Sequence, residues 1–157
     1  MTNKEIKIAF KEYESLDQLE AGDRTLAEAA IEATGQSYAP YSNFNVGAAV
    51  LFEDGVIIKG ANQENAAYPS GLCAERTALF YASASRPDKA MTAIAIAAGQ
   101  KGKICDMPAT PCGACRQVMA QYQTKSGRPM KVILVGEKLI WSFDKVDDLL
   151  PLIFDSI

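Results

Sequence analysis

Cys73-Ala74-Glu75-Arg76 and Pro111-Cys112-Gly113-Ala114-Cys115 are the two stretches around which this chain is organised. Each reads as the start of a helix. Cys112 and Cys115 are three residues apart, so a helix puts them on one face, where they can grip a single ion. Cys73, from the other helix, would close a tripod of sulfurs. Zinc takes thiolate ligands, and a catalytic zinc usually has three protein ligands and one open position. Three cysteines with Glu75 close by fit that count. Both helix N-termini would turn partial positive charge toward the sulfurs and favour the thiolate. Three thiolates on one zinc leave a negative cluster, and Arg76 is the nearest candidate to offset it.

Outward from these helices, the rest of the chain reads as one α/β domain. Ile6 to Phe10 alternates apolar and polar residues and predicts an added edge strand. Asp23 is placed to cap a helix over about Leu26 to Tyr38, which Pro40 stops. Val46, Ala48, Val50 and Phe52 predict one face of a strand, Asp54-Gly55 a hairpin turn, and Val56 to Lys59 the returning strand. The Cys73 helix should end before Arg86-Pro87. Thr92 to Ala98 and Lys131 to Val135 read as buried strands on either side of the second cysteine helix, about Gly113 to Gln123. Leu139 to Phe143 predicts a last strand, followed by a short Asp144-capped helix ending at Pro151. Alternating strands and helices imply a three-layer arrangement, a mixed sheet covered by helices and partly parallel because of the crossovers. The two cysteine helices would then start side by side at one end of the sheet. Residues 1–20 are expected to form an N-terminal extension with the added strand, and residues 21–157 the catalytic domain.

Composition narrows the chemistry. The 157 residues contain no histidine, which excludes Ser-His-Asp and Cys-His nucleophilic schemes. Proton transfer near neutral pH then falls to a carboxylate, a thiol, an amine or an activated water. A net charge of -3 argues against a phosphate-backbone binder. No stretch is apolar over the roughly 20 residues that a membrane helix needs. The N-terminus lacks the form of a signal peptide, so a reducing cytoplasm is expected for the four cysteines, with no membrane partner.

With these motifs in view, the chain resembles the cytidine deaminases, in particular the short homotetrameric kind with three cysteine ligands. The layout is a ligand, one residue, a glutamate and a distant Pro-Cys-x-x-Cys, with Cys73 where other members carry histidine. The resemblance runs from about Leu26 to Phe154. It implies a deaminase-like fold, one zinc per chain on Cys73, Cys112 and Cys115, and hydrolysis of cytidine, with 2′-deoxycytidine expected too, to the uracil nucleoside and ammonia in pyrimidine salvage. Glu75 would move the protons, and Arg76 would hydrogen-bond the sulfurs. Asn62-Gln63-Glu64-Asn65 matches the family's Asn-x-Glu-Asn, which implies that Asn62 and Glu64 hold the ribose 3′-hydroxyl. Tyr41-Ser42-Asn43-Phe44 leads into the family's strand-entry motif and implies that Phe44 lies against the pyrimidine. Ala74 is also implied as a substrate contact. Ala66 and Tyr68 match positions that reach a neighbouring subunit's site, and Leu149-Leu150-Pro151-x-x-Phe154 matches a C-terminal motif whose phenylalanine stacks on a base across a subunit boundary. The expected partners are therefore a nucleoside and further copies of the chain, with no nucleic acid.

Two other readings stay open at this level. Cys105 could complete a four-cysteine structural zinc site, making the protein an interaction module without activity. The same zinc chemistry could also serve a polynucleotide, although no basic stripe interleaved with aromatics supports that.

Overall fold

The computed structural model describes residues 1–155, and Ser156 and Ile157, the last two residues of the C-terminal tail, lie outside that range. One end of its sheet is the hairpin of β2 (Phe44–Phe52) and β3 (Ile57–Ala61), turned through Asp54 and Gly55, whose φ of 84° suits glycine. Next to β2 runs β4 (Met91–Gln100), then β6 (Lys131–Val135), β7 (Ile140–Phe143) and β1 (Lys11–Tyr13). The sheet order is β1-β7-β6-β4-β2-β3, with a short β5 (Lys103–Ile104) folded back on β4. β4 and β6 are parallel, and the other neighbouring pairs are antiparallel.

Period-2 alternation sorts the strand residues between two cores. Ala48, Val50, Phe52, Ile94, Ile96, Val132 and Leu134 face α2 (Ala74–Ser85) and α3 (Gly113–Ser126). Ala49, Ala93, Ala95, Ala97, Ile133 and Val135 face α1 (Ala21–Ala33), which presents Leu26, Ala27 and Ala30. The alanine-rich side lets α1 come very close to the sheet. A Cβ on Gly47 would lie 2.2 Å from the Ala30 carbonyl oxygen, so any larger residue there must push helix and strand apart. Gly60 plays the same part beneath α2, where a Cβ would sit 2.5 Å from the Ala78 nitrogen.

The topology decides where the cysteines go. β3 and β4 are both antiparallel to the β2 strand between them, so they run in the same direction. α2 follows β3 and α3 follows β4 and β5, both on the same face. Their N-termini therefore meet at one end of the sheet.

Four local expectations change. The added strand is Lys11–Tyr13 rather than Ile6–Phe10. It pairs with Ser142, Trp141 and Ile140, which leaves only Phe143 of the short β7 beyond it, so residues 6–9 have no strand residue to pair with. Phe10 instead packs on Trp141 and Phe143, with ring centroids 5.5 and 5.1 Å away. The first helix starts at Ala21, not Leu26, with Glu20 rather than Asp23 at its N-cap. Asp23 lies in the first turn, bound to Lys131 Nζ at 2.8 Å. That helix gives way to a 3-10 turn, Thr34–Gln36, where it is pressed on Gly47. α3 runs on to Ser126, ended by Gly127 with φ of 65°. The expected helix after Asp144 is a single 3-10 turn, Val146–Asp148, because α3 side chains hold this segment: Gln123 Oε1 accepts from the Val146 N–H at 2.9 Å. None of the helices among the described residues is long and apolar enough to cross a membrane.

Candidate active site

Cys73 immediately precedes α2, Cys112 immediately precedes α3, and Cys115 is the third residue of α3. Their sulfurs all lie within 4.8 Å of one another, with Cys73 to Cys112 at 3.9 Å and Cys112 to Cys115 at 3.5 Å. Zinc–sulfur bonds of about 2.3 Å in a tetrahedral site require sulfurs about 3.8 Å apart. The donor set therefore fits zinc by number, element and spacing. Cys105 stays outside this cluster, its peptide N–H and C=O bonded to Ala98 and Glu137.

The sulfurs already share charge. A hydrogen bond from Cys115, with help from Arg76 and Cys112, outweighs burial and pulls the Cys73 thiol down to about 5. The same bond, together with burial and the Glu75 charge, pushes Cys115 up. One thiolate is thus held by its neighbours' protons, which a divalent cation displaces on binding. Arg76 Nη2 lies 3.7 Å from the Cys73 sulfur, while its Nε is buried without a partner. A buried unmet guanidinium N–H on a residue that already reaches the Cys73 sulfur suits a site whose sulfurs gain negative charge when metal binds.

Glu75, the second residue of α2, is only 4% exposed. Burial is the main cause that raises its carboxyl above the usual range, aided by the Cys73 charge. A carboxyl so placed holds a proton more readily than an exposed one, which suits a proton carrier.

A cavity of about 460 Å³ opens above this floor, of a size for a small molecule. Cys73, Glu75, Arg76 and Cys112 line its base, and Phe44, Asn62, Glu64 and Tyr68 its walls. Asn62 anchors the start of β2: its Oδ1 accepts from Val46 N at 2.8 Å and from the Ser37 hydroxyl, and its Nδ2 donates to Phe44 O at 2.9 Å. Glu64 accepts from the Tyr41 N–H at 2.8 Å, the Ser42 N–H at 3.3 Å and the Ser42 hydroxyl. These bonds, the Ser42 hydroxyl first, hold its carboxyl below the usual range, so it is an acceptor at neutral pH.

The structure gathers Phe44, Asn62, Glu64, Tyr68, Glu75 and Arg76 with Cys73 and Cys112, and Cys115 is buried in the same sulfur cluster. Three other predicted residues stand apart from the lining. Ala74 is fully buried at the head of α2, Ala66 is exposed on the loop, and Phe154 is 67% exposed near α3. Sequence reasoning assigned no role to Ser42, which ties Glu64 to the strand entry by also accepting from Phe44 N at 3.1 Å. The signal was available: a serine two residues before the strand, followed by Asn43, whose φ of 53° an asparagine tolerates. Arg116, on α3, donates to Pro111 O at 2.8 Å and to Leu149 O at 2.9 Å.

Comparison with known proteins agrees with this geometry. Residues 21–127 match the model of the cytidine and deoxycytidylate deaminase zinc-binding region. A cytidine deaminase of Halalkalibacterium halodurans is 54% identical over 97 residues, 61% of this chain and 68% of that protein. The crystal structure of cytidine deaminase from Burkholderia pseudomallei superposes with a TM-score of 0.69 at 40% identity, covering 83% of this chain and 97% of that one. That from Mycobacterium tuberculosis gives 0.68 at 31% identity, covering 87% and 100%. With well over half its length matched, and with three sulfurs spaced for zinc, the chain belongs to the cytidine and deoxycytidylate deaminase zinc-binding family.

Proposed function

We propose that this protein is a zinc-dependent cytidine deaminase, converting cytidine and water to uridine and ammonia. The observation that carries the proposal is the three-sulfur cluster set beside the buried Glu75 at the base of a nucleoside-sized cavity. Zinc held by Cys73, Cys112 and Cys115 supplies Lewis-acid activation of the attacking water. Glu75 takes the water's proton and delivers it to N3 of cytosine as oxygen adds to C4. It then carries the second proton to the exocyclic nitrogen, which leaves as ammonia when the C4–N bond breaks. Arg76 offsets the charge of the thiolates. Phe44 bears on the ring, and Ala74 lies next to the base. Asn62 has one Nδ2 hydrogen not committed to Phe44 O, and Glu64 has acceptor capacity left on Oε1. Between them they can both donate to and accept from a single ribose hydroxyl, the 3′-hydroxyl in this reading. A contact limited to that hydroxyl makes 2′-deoxycytidine an expected substrate.

The active form in this reading is a homotetramer with shared sites. Tyr68 at the cavity wall is 78% exposed and Phe154 does not reach the cavity, so within one chain its mouth stays open. A neighbour's Phe154 would stack on the base, and Ala66 and Tyr68 would serve the adjoining site near the 5′-hydroxyl. Residues 1–20 form an extension to a catalytic domain of residues 21–157. The unpaired thiols suit a reducing cytoplasm, and a role in pyrimidine salvage follows from the substrate. The direct test is to add cytidine to the zinc-loaded protein and follow the fall in ultraviolet absorbance as uridine forms. No fall with cytidine or deoxycytidine would overturn the proposal.

A further inference from the structure

The C-terminal segment is fastened to the very helix that carries two of the cysteines. Two residues after Cys115, the Gln117 side chain donates from Nε2 to the Phe154 carbonyl at 2.8 Å and accepts the Phe154 N–H on Oε1 at 3.2 Å. One amide thus engages both backbone groups of one residue, much as a neighbouring strand would. Immediately before it, Arg116 holds Leu149 O and Pro111 O. Between these two ties, Leu150 and Ile153 pack against the core, whereas Leu152 and Phe154 point out, 80% and 67% exposed. The backbone of Phe154 is fixed while its ring makes little use of its own chain. A tail that only needed anchoring would be held by its buried side chains.

We infer that Gln117 is the positioning residue for Phe154, setting the direction in which that ring is offered to a second copy of the chain. The inference rests on the stacking role proposed for Phe154 above. Because Cys115 and Gln117 share the first turns of α3 and Cys112 is its N-cap, the ring's direction is referenced to the metal helix rather than to the end of a free tail. Pre-set direction lowers the ordering cost of capping the base, so its loss should appear in substrate binding and not in the chemical step.

The experiment compares Gln117→Ala, Phe154→Ala and the double variant with the parent protein. Hydrogen exchange at the Phe154 amide is measured alongside kcat, KM for cytidine and zinc content. In Gln117→Ala the amide should exchange about tenfold faster and KM should rise roughly three- to tenfold, as expected for losing two backbone hydrogen bonds. Zinc content and kcat should hold. The double variant should have the KM of Phe154→Ala alone, since Gln117 acts only through that residue. Unchanged exchange, fully additive KM effects, or a loss of zinc or kcat would overturn the inference. A KM effect in Phe154→Ala with none in Gln117→Ala would overturn the positioning role alone. No KM effect in Phe154→Ala would refute the stacking role and this inference with it.

Discussion

The floor of the cavity and its rim are built in opposite ways. On the floor, Cys115 is fully buried, Glu75 is 4% exposed, and the sulfurs, Arg76 and Glu75 bear on one another. Around the rim, Tyr41 and Tyr68 are 54% and 78% exposed, meeting only edge to face at 6.2 Å. Phe154 is held by Gln117 of α3 and does not line the cavity. The difference teaches that one chain assembles the reacting groups but leaves its rim open, which in the proposed reading is where another copy supplies the apolar cover. Chemistry and recognition should therefore fail separately when mutated.

The largest separation is expected at Glu75. Glu75→Gln removes proton transfer but not the ligands, so turnover should fall about 10²- to 10⁴-fold with zinc and nucleoside binding retained. Elemental analysis and a binding titration beside the rate measurement check this, and a nearly normal rate would break the proton-carrier role. Next comes Arg76→Ala, which leaves the cysteines in place but removes the guanidinium 3.7 Å from Cys73. Zinc affinity and turnover should drop together by about 10- to 100-fold. If both stay put, the helix ends alone balance the thiolates.

At the rim, Phe154→Ala should raise KM for cytidine and leave zinc untouched, since stacking on a base is worth about 1–3 kcal/mol. Co-refolding it with Glu75→Gln sharpens the comparison. If Phe154 acts in trans, some sites in mixed assemblies join an intact Glu75 to a neighbour's intact Phe154, and activity at low substrate should exceed that of either parent. No recovery on mixing would place floor and rim in the same chain. The smallest effect belongs to Cys105→Ser. With its sulfur outside the cluster, zinc content by elemental analysis and the deamination rate should match the parent. Lost zinc would favour a four-cysteine structural centre instead.

Much of this was legible in the chain. The spacing of Cys112 and Cys115, the placing of Cys73 two residues before Glu75, and the alternation of Val46, Ala48, Val50 and Phe52 are local facts. Local facts constrain helix and strand faces directly, because side-chain direction follows backbone period. What was misread involved partners distant in sequence. The extent of β1 depended on how much of β7 was left to pair with, and the end of α1 on where Gly47 let it touch the sheet. The tail after Asp144 turned on Gln123, Arg116 and Gln117, whose amide and guanidinium groups could have faced solvent as far as their own helix is concerned.

The sequence by itself determined the three cysteines as a metal-donor set, the carboxylate beside them, the alternation of strands and helices and the absence of any histidine chemistry. Only the tertiary structure decided that the two cysteine helices start at the same end of the sheet, 3.9 Å apart at Cys73 and Cys112. It also decided that Glu64 is tied down by Ser42 and that Phe154 lies outside its own cavity. The physical reason is that donor type and local period are properties of neighbouring residues. Strand direction, close approach and burial arise only when segments far apart in the chain compete for the same partners.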